Sequence, residues 1–168
     1  AAKARSTPFA SGATVAGGSL HIEADGEAFD VTLDDGATLE ETAEAIRASG
    51  APVTATIIND GTSRHLVLTR TSPGHEIGQP ASSALSITET TTGSGGQALG
   101  LATVVSAANA QLSIDGLDIE RRSNTITDAL PGVTLTLQKQ TTAAEDLVIT
   151  DDPAATKAAL QKVVDAYN

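Results

Sequence analysis

With 168 residues the chain holds one ordinary domain or two small ones. The formal charge of −11 argues against a nucleic-acid partner and against anionic membrane surfaces, which both need clustered Lys and Arg. The absence of cysteine excludes a disulfide framework and a thiolate metal site. No apolar run approaches the ~20 residues needed to span a bilayer. Only Phe9, Phe29 and Tyr167 are aromatic, so cores must be built from Ala, Val, Ile and Leu.

Residues 1–18 are small and polar, with one extended candidate at Ser6–Phe9, read as a lone strand awaiting a partner or as a linker. Next, Leu20, Ile22 and Ala24 alternate with His21 and Glu23 up to the turn dipeptide Asp25-Gly26. Phe29, Val31 and Leu33 then alternate with Asp30 and Thr32. A two-residue turn pairs Ile22 with Phe29 and Leu20 with Val31, a hairpin with one apolar face. Thr38-x-x-Glu41 is a capping box, and Leu39, Ala43 and Ile46 form the apolar stripe of a short helix. Gly50 and Pro52 stop it. Val53, Ala55 and Ile57 carry a strand, Asn59-Asp60-Gly61 a turn, and Leu66 and Leu68 another strand. Residues 19–70 therefore read as β-β-α-β-β, with the helix expected on one face of a small antiparallel sheet.

Residues 71–83 read as loop and 84–88 as a fifth strand. Residues 89–100, ETTTGSGGQALG, are low in complexity and expected to be mobile. The densest local logic comes next, from Ala107 to Leu137. Asp115-Gly116 closes a hairpin pairing Ile114 with Leu117 and Leu112 with Ile119. A turn of helix is expected to start at Thr125, with Asp128 as the acidic end of a capping box and Pro131-Gly132 as its stop. Val133, Leu135 and Leu137 alternate as a returning strand. Residues 139–146 read as a polar loop and 147–150 as a strand. Asp152-Pro153 opens a helix with Leu160, Val163, Val164 and Tyr167 on one face. That face lacks a partner in the sequence, and the start Ala1-Ala2-Lys3 lacks Met, so the chain is read as a piece of a longer protein whose helix continues.

No constellation carries chemistry. His21, His65 and His75 show no ligand spacing and read as surface residues rather than a metal site. The acid pairs Asp34-Asp35, Glu40-Glu41 and Asp151-Asp152 have structural jobs as turn, first helical turn and N-cap. The Asp-Gly dipeptides lack the oxygen-ligand spacing of a calcium loop. Gly93–Gly96 is not followed by the Lys-Ser/Thr of a phosphate loop, and no serine sits in a nucleophile elbow. Arg121-Arg122 could seat a partner's carboxylate, with a solvated strand end as the plainer reading. No catalytic residue, cofactor or metal site is assigned.

Two motifs carry a resemblance. Asn109–Gly116, Arg122–Ile126 and Asp128–Leu135, with the ending Val163–Asn168, are similar to the flagellar hook-associated protein 2 (FliD) family of filament caps. Thr38–Ser49 with Val53–Gly61 and Leu66–Thr69 resembles the hook "IN" motif of flagellar axial proteins, with Arg47 where that motif usually has Asn.

The resemblance implies an α+β, mostly β fold with two small antiparallel β-rich domains, one inserted in the other. The outer domain is expected at 19–104, the inner at 1–18 plus 105–150, and the start of a leg helix at 151–168. It implies a non-catalytic cap that forms a ring-like homo-oligomer, promotes flagellin assembly and leaves the cell by type III export. Its place is then secreted and extracellular, at the distal tip of the bacterial flagellum, with neither nucleic acid nor membrane as partner. In some members it also acts as an adhesin toward host mucin or glycans. The alternatives are another hook-associated axial protein, an adhesin module built from the same β-units, or an uncharacterised enzyme. This fragment is expected to be monomeric or weakly associated.

Overall fold

A computed structural model describes residues 1–141, 143, 145, 146, 157, 161, 162, 164, 165 and 167. They fall into two compact units, Ala1–Gln138 and Lys139–Asn168. The first is mostly β with one α-helix, and all its strand pairs are antiparallel.

Strand β1 is Lys3–Arg5, β2 Gly18–Ala24 and β3 Glu27–Leu33. Asp25 and Gly26 both take left-handed φ, 56° and 80°. Such a turn twists in the sense of the strands it joins, which sets the pairs Leu20↔Val31 and Ile22↔Phe29 as the alternation predicts. Helix α1 is Leu39–Ala48. The Thr38 side chain accepts from the Glu41 amide at 3.2 Å, and the Glu41 carboxylate accepts from the Thr38 amide at 2.8 Å. Leu39, Ala43 and Ile46 are buried along one stripe. Gly50, at φ 76°, ends the helix.

Strand β4 is Val53–Asn59, β5 Arg64–Arg70, β6 Leu85–Thr91 and β7 Ala102–Val105. A single turn of 3-10 helix, Ala81–Ala84, precedes β6. Contrary to the expectation from its sequence, the β-β-α-β-β block does not share one sheet. Its first hairpin joins β6 in a three-stranded sheet ordered β3-β2-β6, and its second joins β1 and β7 in a four-stranded sheet ordered β4-β5-β1-β7. A helix with a single apolar stripe can be satisfied by two small sheets as well as by one, and local pattern does not separate the cases. Both sheets, α1 and the irregular residues Phe9, Val15 and Leu99 share one hydrophobic core.

The N-terminal segment corrects a second expectation. The strand is Lys3–Arg5, not Ser6–Phe9, and it lies between β5 and β7, where Lys3 pairs with Val105 at the end of β7. Phe9 makes an isolated bridge to Arg64 and is fully buried. Residues 1–18 therefore help build the core of the 19–104 block. With so few aromatics, the one Phe side chain wholly out of water supplies a large share of apolar contact there.

The glycine-rich stretch also departs from expectation. Strand β6 runs on to Thr91, and the residues beyond it are anchored rather than loose. The Asp35 carboxylate accepts the Gly17 and Gly95 amides at 2.8 Å, and Glu89 accepts the Leu99 and Gly100 amides at 2.7 and 2.8 Å. A Cβ on Gly93 would stand 2.2 Å from Asp35 Oδ1. The glycines here give backbone room to close on a carboxylate, not flexibility.

Strand β8 is Ala110–Ile114 and β9 Leu117–Arg121, paired in the predicted register around Asp115-Gly116. Strand β10, Thr125–Leu130, replaces the expected helical turn and pairs with β11, Val133–Thr136. Thr125, Ile126 and Thr127 favour extended backbone through their branched Cβ atoms, and Pro131-Gly132 closes a hairpin instead of ending a helix. The register shifts between Ile126 and Leu130, a bulge that leaves Asp128 free to meet Arg121. The two hairpins are separate two-stranded sheets.

In the second unit, residues 157, 161, 162, 164, 165 and 167 are helical. The Gln161 amide donates to Asp165 one turn on, at 2.9 Å. Val164 and Tyr167 are exposed, Tyr167 almost fully. The predicted strand at 147–150, the Asp152-Pro153 start and the apolar positions Leu160 and Val163 lie outside the described residues.

Candidate functional site

Period-two alternation along β5 buries Leu66, Leu68 and then Arg70, which is only 1% exposed. A guanidinium on an apolar face needs partners for its donors, since an unpaired buried charge is expensive. It finds them on the first hairpin turn. Arg70 Nε donates to Asp25 Oδ2 at 3.2 Å, Nη2 donates to Oδ1, and Nη1 donates to the Gly74 carbonyl. Ser72 Oγ adds a further donor to Asp25, at 3.2 Å. The carboxylate also accepts Arg122 Nη2 at 2.5 Å, from just beyond β9. The Arg70 hydrogen bond is the main reason the Asp25 carboxyl lies below its ordinary pKa, and Arg122 and Ser72 push the same way against partial burial.

A second contact lies beside the first. Asn109 Oδ1 accepts the His75 amide at 2.8 Å, and Asn109 Nδ2 donates to Glu120 at 2.6 Å. Gly74 sits so close that a Cβ there would stand 2.3 Å from Asn109 Oδ1 and 2.5 Å from the Arg122 carbonyl. The loop after β5 is thus clamped between Asp25 on one side and the start and end of the β8–β9 hairpin on the other. A cleft of about 140 Å³ opens next to it, lined by Asp25, Arg70, Glu76, Gln79, Ser83 and Arg122. That is below the ~300 Å³ where pockets for organic ligands begin.

The arrangement can hold two parts of a chain at a fixed angle. The Asp25 carboxylate at its centre is committed to two guanidinium groups. The histidines are not brought together. His21 pairs with Asp30 at 2.6 Å, which raises its pKa, His65 lies between Asp60 and the Ser6 carbonyl, and His75 is in the clamped loop. Among the described residues, no group of three or more His, Cys, Asp or Glu is placed to hold a metal ion.

The acid pairs have separate duties. Asp35 anchors the glycine-rich loop, Glu40 pairs with Arg64, and Glu41 completes the helix cap. Asp151 and Asp152 lie outside the described residues. Arg121 pairs with Asp128 at 2.9 Å, and Arg122 does seat a carboxylate, but one of its own chain. The sequence held one usable signal for this joint: Arg70 continues the apolar alternation of Leu66 and Leu68, where a charge calls for a buried partner. Which acid answers it depends on the fold.

The model of the flagellar hook-associated protein 2 C-terminus matches residues 107–168. The A-type flagellar hook-associated protein 2 of Pseudomonas aeruginosa is 31% identical over 190 aligned positions, covering 99% of this chain and 39% of that one. The flagellar hook-associated protein 2 of Salmonella typhimurium is 54% identical over 65 residues, 39% of this chain and 14% of that one. These matches support a fragment of the flagellar hook-associated protein 2 family. The chain spans well under half the length of these relatives. The D1-D2-D3 domains of the flagellar cap protein FliD from Escherichia coli share its fold, with a TM-score of 0.75 at 26% identity over 99% of this chain and 50% of that one. The hook-associated protein 2 segment matched by the family model starts at Ala107. Asn109 and Arg122 lie inside it, whereas Asp25, Arg70 and Gly74 lie outside. The polar joint therefore binds the matched segment to the preceding body. Arg47, the departure from the "IN" motif, is exposed on α1 and reaches Glu44 at 2.5 Å and the Ala55 carbonyl of β4 at 3.3 Å.

Proposed function

We propose that this chain is the β-rich plate portion of a flagellar filament cap. The observation that carries the reading is the agreement along 99% of the chain with the fold of a protein named as a flagellar cap. On this reading the full-length protein associates with itself as a ring at the distal tip and guides flagellin into place. It reaches the outside by flagellar export and works without catalysis. Residues 1–105 act as one body, residues 107–138 as a second, and the helical residues 157, 161, 162, 164, 165 and 167 lead into a leg. The Asp25–Arg70–Arg122 joint sets the angle between the two bodies, so that a plate surface is presented rigidly to incoming subunits. Rigidity of this kind suits a scaffold that must guide many subunits in succession.

The test is removal of the full-length gene from its source. Cells should then lose filaments and release flagellin monomers into the medium, and the restored gene should reverse both. Normal filaments in the deletion strain would overturn the proposal. Loss of attachment to mucin-coated surfaces with filaments intact would point to the adhesin reading instead.

A further inference from the structure

The chain contains four Asp-Gly dipeptides: Asp25-Gly26, Asp35-Gly36, Asp60-Gly61 and Asp115-Gly116. By sequence they are equivalent sites for aspartate isomerisation, in which the glycine nitrogen attacks the preceding side chain without obstruction from a Cβ. The fold makes them unequal. The Asp25 carboxylate is held by Arg70, Arg122 and Ser72. Asp35 is held by the Gly17 and Gly95 amides. Asp60 accepts the Thr62 and Ser63 amides at 2.9 and 2.7 Å and the His65 ring at 3.2 Å. These contacts fix each side chain in one orientation, which it must leave before the glycine nitrogen can attack. They also favour the ionised form, the poorer leaving group, and all three carboxyls titrate below their ordinary values.

Asp115 differs in its contacts and its surroundings. Its carboxylate has no hydrogen bond among the described residues, and Asp115, Gly116 and Leu117 are all exposed. Its hairpin is a two-stranded sheet of its own, whereas Asp25 joins strands of a three-stranded sheet. Isolated two-stranded ribbons are marginal in water, so local opening there is cheap.

We propose that Asp115 is the site at which this chain undergoes spontaneous aspartate-to-isoaspartate conversion. The Gly116 backbone nitrogen attacks Asp115 Cγ and gives up its proton. The new N–Cγ bond forms as a Cγ–O bond breaks, and the oxygen leaves as water. Water then opens the five-membered succinimide at either carbonyl. Opening at Cγ restores aspartate. Opening at the main-chain carbonyl routes the backbone through Cγ. One water is lost and one regained, so mass is unchanged and no oxidant or enzyme is needed. The product adds a methylene to the turn and spoils the Ile114↔Leu117 register.

The test is prolonged warm incubation of the 168-residue chain at mildly acidic to neutral pH, natively and in concentrated urea. Isoaspartate is then located by electron-based fragmentation of the digested peptides. Native protein should accumulate at least roughly fivefold more at position 115 than at 25, 35 or 60, because the others require larger opening. In urea the four sites should converge. Equal native rates would overturn the proposal. An excess at 115 that persists unchanged in urea would also overturn it, since the preference would then be local sequence rather than fold.

Discussion

Arg70 is the residue on which the first body and the following hairpins depend together. Removing its counter-charge leaves a guanidinium buried with only the Gly74 carbonyl, and breaking such a pair costs about 3 kcal/mol. Asp25→Ala should therefore lower the urea midpoint strongly. Arg122→Ala removes an ion pair in which the arginine is 45% exposed, worth under ~1 kcal/mol. Global stability in Arg122→Ala should hardly change, while amides in β8 and β9 exchange faster. The pH dependence has a definite sign. The Asp25 carboxyl titrates below its ordinary value in the fold, so the unfolded chain binds protons first as pH falls. The stabilisation is present above the unfolded aspartate pKa of about 3.9 and is lost as pH drops through and below it. Urea midpoints across an acid series should show this limb, and Asp25→Asn should make it shallower.

Elements fall into two classes of security. Sheets β3-β2-β6 and β4-β5-β1-β7 share a core with α1, whereas β8–β9 and β10–β11 stand as two-stranded ribbons. Leu112, Ile114 and Ile119 are only half-buried in the first ribbon, and Leu117 is 71% exposed. Hydrogen exchange should follow that order, with ribbon amides opening before those of β2 and β5. Slow exchange in the ribbons of the isolated chain would contradict it. The glycine-rich loop belongs with the secure class. Gly93→Ala forces a methyl against the Asp35 carboxylate, and overpacking of this kind costs about 1–3 kcal/mol. The same variant should expose the Gly17 and Gly95 amides to exchange. A loop that was merely flexible would accept the alanine without effect.

For the whole molecule, the polar joint is one of several places where a carboxylate anchors the fold: Asp25 holds two arginines, Asp35 and Glu89 hold the glycine-rich loop, and Glu41 caps α1. An acidic chain of charge −11 also repels its own copies in solution, so any assembly must come from defined faces rather than general stickiness. If the joint orients the plate, a full-length protein carrying Arg122→Ala should fold yet cap filaments poorly, with flagellin appearing in the medium. Unchanged filament growth in that variant would separate the joint from the cap role.

Much of what is governed by neighbours along the chain was legible without the fold. The Asp-Gly turns placed both hairpin registers, the capping box placed α1, and alternation identified Leu20, Ile22, Leu66 and Leu68 as core. Where several close arrangements satisfy the same local pattern, only the tertiary structure decided. It split the β-β-α-β-β block between two sheets, drew Lys3–Arg5 between β5 and β7, and made Thr125–Leu130 a bulged strand. It turned a glycine-rich tract into an anchored loop because Asp35, some 60 residues earlier in the chain, reaches Gly95. It matched Arg70 with Asp25 across 45 residues and Arg122 with the same carboxylate across 97. Periodicity and turn chemistry act over a few residues and are written in order. The partner of a buried charge is chosen by which chain segments the core brings together.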